Sequence, residues 1–311
     1  MWEATLLDFD DFLLLEKASA ENTREAYLRD VSRLMQFAAM QRSPEWHVSP
    51  EAISAKQLQA FAEYLYELGL STASASRTLS GVRAFYRFLL LTDRIADNPT
   101  KLLEMPASEH KLPTVLSVEE VEAIFAVVRE FKNVTLRRRN EAMIELLYAC
   151  GFRVSELLSL KLSAVLWKMG VIKVVGGKGN KERLVPVGES ALEALQFYLT
   201  APDGRTALPI KSGAEDYIFL NQNGGTLTRQ QVFMLVQGWA KKAGIEKRVS
   251  PHTLRHTFAT HLFEGGADLR AIQSMLGHEY ITTTEIYSHM DMSFLREQIY
   301  LHPRNKAATR K

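Results

Sequence analysis

The stretch from 105 to 116, MPASEHKLPTVL, does most to limit how this 311-residue chain can fold. It holds two prolines and no hydrophobic period, so no regular helix or strand is expected to run through it. Before it, the apolar patterns all have a helical period. β signals occur only after it. The chain therefore reads as two domains, 1–107 and 108–311, each of ordinary domain size.

Four amphipathic segments fill the first domain. Leu and Phe recur at helical spacing over 4–17, and Tyr27, Val31, Leu34, Met35 and Phe37 do so in the second. A third helix over 51–69 stops at Gly69, and a fourth spans 72–92 before Asp97-Asn98-Pro99-Thr100. Short joints between them predict a four-helix bundle. The fourth helix has an apolar stripe (Leu79, Val82, Phe85, Leu89) and a second side carrying Ser76, Ser80, Arg83 and Arg87, with Arg77 and Tyr86 close by. That edge suits a helix laid on DNA with Arg77, Arg83 and Arg87 on phosphates or bases. A solvated face of a bundle helix is the plainer alternative.

In the second domain, Ser117 and Glu120 form a capping-box pattern. A long helix over 137–150 breaks at Gly151 and restarts, with Arg153 in the turn. Val171, Ile172, Val174 and Val175 pair naturally with Leu184, Val185 and Val187, giving a hairpin with Lys178 and Lys181 at its tip. Residues 217–221, YIFLN, read as a third strand. Helical patterns occupy 189–200, 228–243 and 251–264, and a short amphipathic helix ends the chain. The fold class is mainly α with a small antiparallel β-sheet, the second domain being α+β.

Residues 1–105 carry 11 Lys+Arg against 15 Asp+Glu, and the remainder 27 against 21. A basic C-terminal part is compatible with a nucleic-acid partner without demonstrating one. Cys150, the single cysteine, excludes an internal disulfide and a multi-cysteine zinc site. The acidic N-terminus lacks the order of a signal peptide, and no apolar run approaches the ~18 residues of a membrane span. A cytoplasmic location and no membrane partner are expected.

Chemistry concentrates between Ser250 and Met290. His252 and Arg255 share a helical face, His278 follows Gly277, and Tyr287 stands nine residues beyond. With Arg153 and Lys178 they form a set suited to a phosphodiester. Two guanidinium forks can clamp its oxygens, imidazoles can donate or move a proton, and a phenol among cations becomes a better nucleophile. A lysine at the hairpin tip can protonate the leaving oxygen. No cofactor or metal is signalled: there is no Walker motif or HExxH, and His252, His256 and His261 lack a cysteine or carboxylate at fitting spacing.

The segments LLYACGFRVSELLSL, GGKGNKERLVPVG, SPHTLRHTFATHL, LGHEYITTTEIYSH and NTREAYLRDVSRLMQF resemble the tyrosine recombinases of the phage-integrase family, most closely the Xer subgroup. The resemblance spans nearly the whole chain. It implies a SAM-like helical DNA-binding domain and a catalytic domain closing around DNA. Arg153 and Arg255 correspond to the phosphate-clamping arginines, and His252 and His278 to the two histidines. Tyr287 corresponds to the nucleophile, forming a 3′-phosphotyrosine, and Glu156 to the acidic neighbour of the first arginine. The doubled glycine at 176–177 departs from the Xer pattern and leaves Lys178 and Lys181 both open as the general acid, with Lys178 favoured.

The resemblance further implies site-specific recombination of a double-stranded DNA site by a homotetramer, or a heterotetramer with a second recombinase, resolving chromosome or plasmid dimers at cell division. Control by a DNA translocase stays open. The last helix would dock on a neighbouring protomer through Phe294, Leu295, Ile299 and Tyr300, unless it covers its own core. An integrase of a phage or mobile element is the alternative within the family. A type IB topoisomerase and an inactive DNA-binding scaffold are the alternatives outside it.

Overall fold

The computed structural model describes residues 2–15, 21–46, 48–103, 114–175, 182–277 and 292–306. The chain divides into two compact units, 1–111 and 112–311.

The first unit contains α1 (Trp2–Leu15), α2 (Glu21–Met40), α3 (Ala55–Glu67) and α4 (Thr72–Leu91). Serine side chains set two of the starts. The Ser54 hydroxyl accepts from the Gln57 backbone amide while the Ser54 backbone amide donates to Gln57 Oε1, and the Ser71 side chain accepts from the Ser74 amide. The apolar stripe of α4 packs inward: Leu79, Val82, Phe85 and Leu89 are buried with Phe9, Leu13, Val31, Leu34, Phe61 and Leu65. Tyr86 belongs to this core as well. It is fully buried and its hydroxyl donates to the Pro50 carbonyl at 3.0 Å, so it is not on the basic edge of the helix.

In the second unit, α5 (Val118–Arg129), α6 (Val134–Ala149) and α7 (Val154–Ser159) precede a sheet of β1 (Val165–Leu166), β2 (Val171–Val175) and β3 (Glu182–Pro186). Then come α8 (Glu189–Thr200), α9 (Arg229–Lys242), α10 (Pro251–Glu264), α11 (Leu269–Leu276), α12 (Met292–Ile299) and α13 (Pro303–Lys306). The strands lie in the order β1-β2-β3, all antiparallel, with Lys173 opposite Leu184 and Val174 opposite Arg183. The expected hairpin is present, but its third strand is β1 rather than residues 217–221. In that segment Tyr217 and Leu220 make single bridges, to Lys161 and Thr226, because the chain turns back at once between Asn221 and Gly225. Two-residue β1 is too short to carry a period.

The main core surrounds α6, buried from Ala142 to Ala149, with Val121 and Phe125 of α5, Leu195 and Tyr198 of α8 and Trp239 of α9. Cys150 is a fully buried member of it. A smaller cluster joins α10 (Phe258, Leu262), α11 (Ile272, Met275) and α12 (Leu295, Ile299). Of the four residues expected to meet a neighbouring protomer, Leu295 and Ile299 are thus covered by their own chain. Phe294 is half-buried and Tyr300 exposed. No helix among the described residues is long and apolar enough to cross a membrane.

Beyond α12 the chain is held by a charged anchor. Arg304 donates to Glu145 through Nε and Nη2 at 2.9 and 2.6 Å and to Glu122 through Nη1 at 2.8 Å, with its guanidinium 4.1 Å from the Phe125 ring centroid. Glu145 is only 3% exposed, so Arg304→Ala should lower unfolding free energy by about 3 kcal/mol by leaving a buried carboxylate unpaired. Glu145→Leu combined with Arg304→Leu should recover most of that loss. Urea denaturation of the three proteins checks this; a loss below about 1 kcal/mol for Arg304→Ala would count against the anchor.

Candidate active site

The site is built at the break between α6 and α7. Gly151 turns the chain with φ +63°, and a Cβ there would meet the Phe258 ring at 2.4 Å, so the turn depends on glycine. Phe152 is buried beyond it, and Arg153 stands at the N-cap of α7. One helical turn on, Glu156 reaches back: Oε2 accepts from the Arg153 amide at 2.8 Å, and Oε1 accepts from Arg153 Nη1 at 2.8 Å. This is the N3 carboxylate of a capping box, also used to aim a side chain.

The same carboxylate gathers two further arginines. Arg183, from β3, donates to Glu156 Oε1 and Oε2 at 2.8 and 3.0 Å. Arg255, from α10, brings Nη1 to 3.9 Å of Oε2. Ser250 caps α10 and Pro251 occupies its first turn, which sets the face that carries Arg255. Glu156 is 2% exposed, and its side chain is shared among guanidiniums that are 44% (Arg153), 7% (Arg183) and 7% (Arg255) exposed.

The three guanidiniums also meet one helix end. Met275 O accepts from Arg183 Nε at 2.9 Å, Leu276 O from Arg255 Nη2 at 2.5 Å, and Gly277 O from Arg153 Nη2 at 3.0 Å. Arg255 Nη1 also donates to Gly151 O at 2.6 Å. These carbonyls close α11, where backbone acceptors lack helical partners and the helix dipole is negative. Gly277 caps that end with φ +66°.

Burial raises the Glu156 pKa, but the hydrogen bonds and charge of Arg183, followed by those of Arg153, more than offset it and hold the group at about 2. Arg255 moves the other way. Burial and then the charge of Arg153 push it down to about 9, which leaves it protonated at neutral pH. Three cations around one anion leave an excess of positive charge that helix carbonyls offset only in part. The site is chemically suited to a compact anion with several oxygens. A groove of about 710 Å³ opens beside Glu156, lined in part by Ser155, Ser159, Lys161, Lys173 and Arg229.

Arg153, Glu156 and Arg255 are therefore brought together. His252 is exposed on α10, one turn before Arg255. Lys178, Lys181, His278 and Tyr287 lie outside the described residues. Arg183 was missed by sequence reasoning. Its available signal was strand alternation, which puts it on the same side as buried Val185, where an arginine needs a partner. His261 donates to or accepts from the Tyr148 hydroxyl through Nδ1 at 2.9 Å, and no metal-holding group of three side chains occurs among the described residues. On α4, Arg77 grips the buried carboxylate of Asp30 with two bonds of 2.7 Å, Arg83 donates to Leu103 O at 2.6 Å, and Arg87 is exposed.

Glu156 gives the site a pH signature. A carboxylate with a depressed pKa stabilises the fold above its unfolded pKa, near 4.5, and loses that contribution as pH falls towards about 2. Glu156→Gln should thus be less stable than the parent at neutral pH, with the difference closing across that acidic window. Urea midpoints at stepped pH check it; a pH-independent difference would remove the ionised carboxylate from the account.

The chain is similar to known proteins in sequence and in fold. Residues 114–293 match the Phage integrase family, and 6–92 match the Phage integrase N-terminal SAM-like domain. The chain is 40% identical to the tyrosine recombinase XerD of Oceanobacillus iheyensis over 98% of its own length and 100% of the relative's. It is 42% identical to that of Chlorobaculum tepidum, covering 97% of each. The solved structure of the XerH site-specific recombinase in a pre-cleavage complex with its difH substrate has a TM-score of 0.65 at 26% identity, covering 89% of this chain and 78% of that one.

Proposed function

Since this chain belongs to the phage integrase family of tyrosine recombinases, we propose that Tyr287 is its nucleophile and that Arg153 and Arg255 clamp the phosphodiester it attacks. The protein is a Xer-type site-specific DNA recombinase. The observation that carries the residue assignment is the gathering of Arg153 and Arg255 on Glu156 at the end of α11, immediately before the segment that contains His278 and Tyr287.

In the proposed step the Tyr287 oxygen attacks phosphorus while its hydroxyl proton passes to an imidazole, that of His252 or His278. The bond from phosphorus to the 5′ oxygen breaks, and a 3′-phosphotyrosine forms. The leaving 5′ oxygen takes its proton from Lys178, or from Lys181. Attack by a 5′ hydroxyl of the partner strand reverses the chemistry and rejoins the DNA. One phosphodiester is exchanged for another, so the step balances without a nucleotide. Arg153, open to solvent, receives the non-bridging oxygens first, and Arg255 completes the clamp from beneath. His252 and His278 donate to the same phosphate, which becomes more negative as the transition state forms.

The wider reading is resolution of chromosome or plasmid dimers by a tetramer on double-stranded DNA in the cytoplasm, alone or with a second recombinase and under the control of a translocase. The near-complete coverage of XerD relatives supports it. Phosphates flanking the cleaved one would follow the groove of Lys161 and Arg229, in which Lys173 is paired with Glu182, and Arg87 with Arg83 and Arg77 would meet the backbone from the helical unit. Asp30 holds Arg77 in one orientation, so its role there would be that of a fixed contact.

Nicked suicide duplexes tiled across the replication-terminus region of the host chromosome provide the test, with covalent complexes scored on denaturing gels. The parent should give a covalent band and Tyr287→Phe should bind the same duplex without one. An adduct surviving Tyr287→Phe would refute the nucleophile assignment. Capture on mobile-element ends, with none on terminus duplexes, would favour an integrase. Lys178→Ala should lose at least ~100-fold in cleavage and recover most of it on a duplex with a 5′-bridging sulfur, a leaving group that needs no acid. Recovery confined to Lys181→Ala would transfer the role.

A further inference from the structure

We propose that Arg183 is a positioning residue for recombination, aligning the clamp, the hairpin and the start of the nucleophile segment on one another; this rests on the chemistry proposed above. Three observations lead to it. Arg183 stands on β3, the strand that leaves the hairpin carrying Lys178 and Lys181. Its Nη atoms take both oxygens of Glu156, and its Nε takes Met275 O, so one planar group joins strand, α7 and α11. Both its Nη atoms are committed to the Glu156 carboxylate, whereas Arg255, equally buried, is bonded to the neutral carbonyls of Gly151 and Leu276, so Arg183 is placed to hold Glu156 rather than a DNA phosphate.

The geometry leaves little slack. A Cβ on Gly277 would stand 3.2 Å from Arg183 Nη1 and 3.3 Å from its Cζ, so the guanidinium is packed against the residue that ends α11. Glu156 in turn fixes Arg153 through its amide and its Nη1. Without Arg183, the carboxylate would keep Arg153 and the more distant Arg255 but lose, among the described residues, its hydrogen bonds to the strand. The α11 end would also lose one of its three arginine contacts. A lysine at 183 keeps the charge but cannot serve two carboxylate oxygens and a carbonyl in one plane.

A residue that only supported the fold would affect binding and cleavage together. A positioning residue separates them. The probe is the nicked duplex on which the parent forms its covalent complex, and both its Kd and its single-turnover cleavage rate are measured. Arg183→Lys should bind it within about threefold of the parent and cleave ~10-fold more slowly, and Arg183→Gln should cleave ~100-fold more slowly. Adding Arg183→Gln to Glu156→Gln should deepen the cleavage defect by less than about threefold, because both act through one contact. Should Arg183→Gln be poorly folded by circular dichroism, Arg183→Lys carries the test. Cleavage at the parental rate in a folded variant, or Kd and rate failing in parallel, overturns the inference. Failure of the proposed chemistry appears in the parent itself, as absence of the adduct, and is thereby distinguished.

Discussion

One buried carboxylate organises the site. Glu156 faces three guanidiniums and has almost no contact with water. Two unit charges ~4 Å apart interact by about 4 kcal/mol at an effective dielectric of 20, so three arginines could not share this space without an anion among them. A second carboxylate would halve the excess positive charge of the cluster and weaken its pull on a phosphate. The ratio of three to one keeps the group compact while leaving it cationic. Burial alone would favour a protonated Glu156, and it is the arginines, Arg183 foremost, that keep the group charged.

The secondary structure supplies that arrangement from segments far apart in sequence. The α6–α7 break delivers Arg153 and Glu156, β3 delivers Arg183, and α10 delivers Arg255. All three arginines then contact the final carbonyls of α11. A helix C-terminus has unpaired acceptors and partial negative charge, so it orients guanidiniums at low electrostatic cost. The α10–α11–α12 cluster of Phe258, Ile272, Met275 and Leu295 holds that helix end in place by packing. The polar site and the small apolar core beside it therefore depend on each other.

What could be read in the sequence followed from how local the signal was. Arg153 and Glu156 lie three residues apart and declared their pairing, as did the helices whose apolar residues recur at a regular period. The β2–β3 hairpin announced itself by β-branched and apolar residues on both sides of a glycine-rich stretch. Arg183 stayed hidden because its partners are 27 and 92 residues away. Asp30 is 47 residues from Arg77 and Leu103 is 20 from Arg83, so α4 showed a row of basic residues without showing that two of them were already engaged. Tyr86 misled for a related reason: its hydroxyl has a partner, Pro50 O, that no helical spacing reveals. Residues 217–221 had strand composition, but a chain reversal at Asn221 left room only for isolated bridges.

The unequal exposure of Arg153 and Arg255 follows from the same construction. Arg153, at the surface end of a helix, keeps a side chain 44% exposed, whereas Arg255 is 7% exposed and bonded to Gly151 O and Leu276 O. A surface arginine alone would be screened by water and salt. One wholly buried would be hard for a substrate to reach. In the clamp proposed above, setting the first above the second would give an entering phosphate a solvated partner on approach and a desolvated one beneath it. Preorganised charge in a water-poor setting stabilises a developing negative charge most strongly. Because the buried guanidinium is already oriented by carbonyls, little reorganisation is needed when that charge appears.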